Sequence, residues 1–144
     1  MSPATAVAPA SPEALLQTSR AFDMAFAPGP ACASQARRTT RAFLRLWNVN
    51  GELAENIVLA VSELVTNAFE HGTGDMGLRV WYPGDELRIE VTDDNPAPAE
   101  LRVAGSEAVS GRGLFLVAVL ARNWGVSADG RTTWCVFRVP AGRP

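Results

Sequence analysis

Two strand–turn–strand patterns constrain the fold of this chain more than any other feature of its sequence. The first is MGLRVWYPGDELRIEVTDD, in which Leu87, Ile89 and Val91 alternate with polar residues, and the second is WGVSADGRTTWCVFRV. Turn residues interrupt both patterns, at residues 83–85 and 129–130, as they do in β-hairpins. The two patterns therefore predict an antiparallel sheet with one face buried and the other face in contact with water.

Three other segments have the apolar spacing of helices. They cover residues 34–47, with Ser34 as the N-cap, residues 51–71, and residues 113–123, whose apolar side chains predict an almost wholly buried helix. In residues 22–26, large apolar side chains alternate with small or polar ones, as in a short strand. The polar faces of the first helix carry Arg37, Arg38, Arg41 and Arg45. This pattern is more typical of a solvated helix surface than of a docking stripe.

The order strand, helix, helix, hairpin, helix, hairpin predicts an α+β fold. We expect a two-layer α/β sandwich in which a mostly antiparallel sheet is covered on one face by about three helices. The 144 residues suffice for one domain, with a disordered tail at 1–19, the domain at 20–140 and a short tail at 141–144. Residues 94–112 lack periodicity, which predicts a functional lid or a disordered insert. If the segment is a lid, the backbone amides of residues 95–110 should exchange hydrogen more slowly when nucleotide is bound.

Composition excludes several classes of protein. The net charge is −2 and 47% of the residues are hydrophobic, so no global charge attracts nucleic acid or anionic lipid. Cys32 and Cys135 are far apart in the sequence, which favours free thiols in a reducing compartment. No apolar run is long enough to span a bilayer, and the N-terminus does not have the pattern of a signal peptide. We therefore expect a cytoplasmic protein.

The stretch SELVTNAFEHG combines a helical apolar pattern with three polar side chains of distinct chemistry. Glu63, Asn67 and His71 follow one another at intervals of four residues, so a helix aligns them along one side. Glu63 and Asn67 lie just beyond the edge of the apolar arc. Two interpretations follow: a solvated helix face, or one wall of a ligand site.

Four stretches in the order SELVTNAFEHG, VTDDNPAP, SGRGLFLV and GRTTW resemble the signature boxes of the GHKL, or histidine kinase-like, ATPase superfamily. The nearest likeness is to anti-sigma regulatory factors that are serine/threonine protein kinases, and it covers about residues 20–140. The resemblance implies that Glu63 is the general base. It implies that Asn67 holds Mg²⁺ and that an aspartate accepts a hydrogen bond from the adenine amine. We assign this role to Asp93 and not to Asp94, because Asp93 follows Val91 by two residues and so points to the same face of the sheet.

The same resemblance assigns the remaining nucleotide contacts. Gly111 and Gly113 would open a helix whose N-terminus faces the phosphates, with Arg112 as an additional cation. The other implied contacts are His71, Asn95, Leu114 and Thr132. The sequence departs from the superfamily in one box, because Asp93-Asp94-Asn95-Pro96-Ala97 lacks both of the usual glycines.

The resemblance implies ATP and Mg²⁺ as ligands and two partner proteins. One is a STAS-type anti-sigma-factor antagonist, the substrate of phosphorylation, and the other is a sigma factor that the chain sequesters. We expect no direct partner in nucleic acid or membrane, while homodimerisation stays open. The alternative is a binding module on the same fold, with weak or no ATP turnover. The retained Glu63 and Asn67 favour the kinase, and the missing glycines favour the module.

Overall fold

A computed structural model describes residues 20–71, 74–93 and 108–140. The predicted tails and most of the predicted lid lie outside these residues. Within them the chain forms five strands and three helices, which in chain order are β1 Ala21–Phe26, α1 Cys32–Leu46, α2 Gly51–His71, β2 Met76–Trp81, β3 Glu86–Thr92, α3 Ala108–Leu120, β4 Asn123–Val126 and β5 Thr132–Arg138.

The strands form one antiparallel sheet in the order β1-β2-β3-β5-β4. Alternate residues of β3 face the core, so Leu87, Ile89 and Val91 are buried and Thr92 is exposed. Helix α2 packs on β2 and β3 from the buried side, between α1 and α3. The predicted α+β sandwich is confirmed. No helix in the described ranges is both long enough and apolar enough to cross a membrane.

Helix α1 begins earlier than its sequence suggests. The predicted N-cap, Ser34, is wrong, because the helix begins at Cys32 and Ala31 occupies the cap position without a side-chain hydrogen bond. The first turn instead receives backbone support, since the Cys32 N–H donates to the Gly29 carbonyl at 3.2 Å. Ser34 is a good capping residue by type, but the turn that precedes the helix sets the start.

The C-terminus of α1 ends in a Schellman motif that turns the chain toward α2. Asn48 has a φ of 61°, a left-handed conformation that asparagine tolerates better than most residues. The Asn48 N–H donates to the Arg45 carbonyl at 3.1 Å, and the Val49 N–H donates to the Leu44 carbonyl at 2.8 Å. The short connection makes α1 and α2 antiparallel neighbours, and Arg37 in the first half of α1 lies beside Ser62 near the middle of α2.

Helix α3 differs from its prediction in position and burial. It covers Ala108–Leu120 instead of residues 113–123, and Asn123 begins β4. Leu114 and Val117 are 1% and 0% exposed, whereas Phe115 and Val119 are 53% and 62% exposed. The prediction of an almost wholly buried helix is therefore wrong. A helix that is apolar on every side gives no sequence signal for which side will pack.

Thr40 offers a test of packing between the helices. Its side chain is 0% exposed, and its hydroxyl has no hydrogen-bond partner among the described residues. A buried hydroxyl without a partner costs free energy, so Thr40→Val should raise the free energy of unfolding by about 1 kcal/mol in urea denaturation. Thr39→Val, at a half-buried position of the same helix, is the control and should change little. Destabilisation by Thr40→Val would mean that the hydroxyl has a partner in solution.

Candidate functional site

The polar edge of α2 is the centre of the candidate site. Glu63 and Asn67 are half-buried, while the residues that follow each of them, Leu64 and Ala68, are 1% and 2% exposed in the core. One helical turn separates Glu63 from Asn67, so their side chains lie on the same side of α2. The structure thus places both residues where the helix surface leaves the core, as the periodicity predicts. His71 is the last residue of α2, and its side chain is outside the described part.

The environment of Glu63 makes its carboxyl group a stronger base than an ordinary glutamate. Burial has the largest effect and raises its pKa, and the negative charge of Glu70 raises the pKa further. The positive charge of Arg37 lowers the pKa and so opposes both effects. A half-buried carboxylate with a raised pKa is suited to accept a proton from a substrate hydroxyl.

Two polar contacts link α1 to α2. The Arg37 guanidinium donates from Nη1 to Ser62 Oγ at 2.9 Å, and Ser62 is 8% exposed. Closer to the connection between the two helices, Arg41 Nη2 lies 3.8 Å from Glu55 Oε1. Both side chains are well exposed, so this ion pair contributes little to stability. Sequence reasoning treated Arg37 as one of four surface arginines. Helical spacing gives no signal that separates it from the others, because its partner belongs to another helix.

Asp93 directly follows β3 and continues its alternation. Its backbone N–H donates to the Arg131 carbonyl at 2.9 Å, so the pairing with the neighbouring strand extends beyond Thr92. Val91 is buried, Thr92 is exposed and Asp93 is half-buried. Asp93 therefore lies on the helix-facing side of the sheet, the side predicted for it. Asp94 and Asn95 lie outside the described residues.

The two threonines of GRTTW lie on opposite faces of the sheet. Thr132 pairs with Thr92, and their hydroxyl oxygens are 2.9 Å apart on the face away from the helices. Thr133 pairs with the buried Val91 and so shares the helix-facing side with Asp93. The structure does not bring Thr132 to the side of Glu63 and Asn67. From the sequence alone Thr132 is selected and not Thr133, because the motif contains both residues and their order alone does not fix the register.

The glycine-containing turn is part of a helix. Gly111 and Gly113 lie inside α3, which begins at Ala108, so the prediction that they open the helix is wrong in its placement. No side chain is described at residues 108–113, Arg112 included. Leu114, the last predicted contact in this segment, belongs to the hydrophobic core.

The sequence profile of a known family, the histidine kinase-like ATPase domain, matches residues 26–137. The chain belongs to this family. The matched residues include α2, Asp93 and both threonines of β5, so the candidate site lies inside the shared domain. Membership in a family of ATPase domains implies that the chain binds ATP. No curated protein sequence matches it.

A solved structure resembles this histidine kinase-like ATPase domain. It contains the RsbU and RsbW domains of Rv1364c from Mycobacterium tuberculosis, and it matches with a TM-score of 0.58 and 20% sequence identity. The match covers 86% of this chain and 33% of the other, so the chain spans about a third of the length of that protein. At this identity the likeness supports the fold and leaves activity to be argued from the site.

Proposed function

We propose that this chain binds ATP together with Mg²⁺ and is a serine/threonine protein kinase. Its substrate would be a STAS-type anti-sigma-factor antagonist, and its second partner a sigma factor that it sequesters. One observation carries the proposal: Glu63 and Asn67 lie one turn apart on the half-buried edge of α2 in a chain of the histidine kinase-like ATPase family. A carboxylate and an amide in this arrangement are suited to phosphoryl transfer.

Glu63 has the role of general base. As the substrate hydroxyl forms a bond to the γ-phosphorus, its proton passes to the Glu63 carboxylate, and the bond to the β-phosphate oxygen breaks to release ADP. The raised pKa of Glu63, caused chiefly by burial, favours its taking the proton. Such a base contributes typically about 10² to 10⁴ in rate.

Asn67 has the role of metal ligand. Its half-buried amide supplies a neutral oxygen, and hard Mg²⁺ binds one or two protein oxygens while phosphate and water complete its shell. The donor at this position therefore fits the ion, which would neutralise charge on the phosphates when bound. Asp93 would accept a hydrogen bond from the adenine amine. We place Thr133 near the nucleotide instead of Thr132, because only Thr133 is on the helix-facing side.

Titration calorimetry with ATP and ADP tests the nucleotide site. We expect binding that strengthens with Mg²⁺, and Asp93→Asn should weaken ATP by about tenfold, since a hydrogen bond to a charged group is worth about 1.5 to 3 kcal/mol. Asp23→Asn is the matched control, because Asp23 is exposed on the opposite face of the sheet, where it pairs with Arg79 at 2.8 Å. It should leave affinity unchanged. Absence of binding at millimolar nucleotide would rule out the proposed kinase function.

A second function is favoured by one specific feature, the glycine-free box Asp93-Asp94-Asn95-Pro96-Ala97. Glycine allows backbone conformations that alanine and proline disfavour, so its loss weighs against a fully adapted nucleotide pocket. The alternative is a module that binds the sigma factor or the antagonist without transferring phosphate. Incubation of co-purified partners with γ-labelled ATP separates the two functions. Stable binding with no label transferred would favour the module.

A further inference from the structure

Arg37 is the feature of the described structure that the proposed chemistry leaves unused. It lies on α1, yet its guanidinium reaches α2 and donates to Ser62, the residue immediately before the proposed base. Ser62 is one of only two buried polar side chains among the described residues, the other being Thr40. A hydrogen bond at 2.9 Å to a nearly buried hydroxyl restricts the guanidinium more than a solvent contact would.

The charges around Glu63 explain what a restrained guanidinium would do there. Of the described charged side chains, two act on this carboxylate: Glu70, two turns later on the same helix, and Arg37, from the helix packed beside it. Glu70 disfavours a second negative charge, as does burial. Arg37 favours that charge, and a base must be ionised before it can take a proton.

We propose that Arg37 is a positioning residue for Glu63: its hydrogen bond to Ser62 fixes a positive charge near the carboxylate and favours the ionised form of the base. This inference rests on the proposed function of Glu63 as general base. It also gives α1 a role in catalysis through α2, because movement of α1 away from α2 would remove the charge. Arg37 itself would touch no reacting atom.

Arg37→Gln, with Ser62→Ala and the control Arg38→Gln, tests the inference. Arg38 is the exposed neighbour on α1. The first readout is the carboxyl titration of Glu63 by NMR in ¹³C-glutamate-labelled protein, with the signal identified by its loss in Glu63→Gln. Arg37→Gln should raise the midpoint by about half a pH unit, less than a direct ion pair would. Ser62→Ala should raise it less, because the charge is kept but less restrained, and Arg38→Gln should leave it unchanged.

The second readout is the pH dependence of phosphoryl transfer to the antagonist. In Arg37→Gln the acidic limb of kcat/KM, which reports the base of the free protein, should move to higher pH together with the NMR midpoint, while KM for ATP stays within about twofold. Two results would overturn the inference: an unchanged NMR midpoint, or a change confined to KM for the antagonist, which would make Arg37 a docking contact. If neither the unmodified protein nor any variant transfers phosphate but the NMR midpoint moves in Arg37→Gln, the proposed kinase function fails. The effect of the Arg37 charge on Glu63 is then still supported.

Discussion

Glu63→Gln is expected to lower the rate of γ-phosphoryl transfer by at least about 100-fold while making the protein more stable at neutral pH. A glutamine has the shape of the glutamate but cannot accept the proton, and a general base contributes typically about 10² to 10⁴ in rate. ATP affinity should stay within a few-fold, because the base acts on the transition state and not on the bound phosphates. Sigma-factor binding should persist, since it needs surface and not proton transfer.

The stability gain follows from the direction of the pKa shift. Burial raises the pKa of Glu63 in the folded state, so the folded protein holds this proton more tightly than the unfolded chain. The stability from this group is present below the unfolded pKa and is lost as pH rises through the folded pKa. Glu63→Gln should therefore raise the thermal midpoint at about pH 7 and give little gain at about pH 3, below the unfolded pKa, where Glu63 is protonated in both the folded and the unfolded state.

Glu70→Gln is the matched control for both effects. It makes the same chemical change on the same helix, at an exposed residue that acts on Glu63 only through its charge. It should keep transfer within about threefold of the unmodified protein, since loss of the Glu70 charge lowers the pKa of Glu63 but removes no group that accepts the proton. If Glu63→Gln transfers phosphate as well as Glu70→Gln does, Glu63 is an ordinary polar residue at the edge of a helix.

The sequence predicts most of this fold because its strands and its first two helices each have one distinct apolar face. In β3 the period of two assigns Leu87, Ile89 and Val91 to the core, and the structure agrees. In α2 the period of 3.6 places Glu63 and Asn67 at the edge of the apolar arc, where both are half-buried. Such a pattern depends only on residues close together in the sequence, so it can be interpreted without knowledge of the tertiary contacts.

Three features could not be predicted, each for a physical reason. Helix α3 is apolar on every side, so nothing in its sequence marks Phe115 as exposed. The two threonines of GRTTW differ by one position, and only pairing with β3 places Thr132 on the outer face and Thr133 on the inner one. Arg37 differs from the other arginines of α1 only through Ser62 on another helix. These contacts are tertiary, and propensity does not encode them.

Asn67→Ala should affect ATP affinity as well as phosphoryl transfer, unlike Glu63→Gln. A metal ligand acts on the bound nucleotide as well as on the transition state, so both affinity and transfer should fall. We expect Mg²⁺-dependent ATP affinity to drop at least about tenfold, whereas binding measured in excess chelator should change little. Calorimetry over a series of Mg²⁺ concentrations measures both quantities.

The matched control is Asn56→Ala, at another half-buried asparagine of α2. Asn56 precedes Asn67 by about three turns and so lies on nearly the same side of the helix, but far from its C-terminal end. Its loss should leave Mg²⁺-dependent binding intact. If Asn67→Ala weakens ATP equally with Mg²⁺ and with chelator, the amide contacts the nucleotide directly. If it weakens neither, phosphate binding does not involve this edge of α2, and the pairing of Glu63 with Asn67 loses its functional meaning.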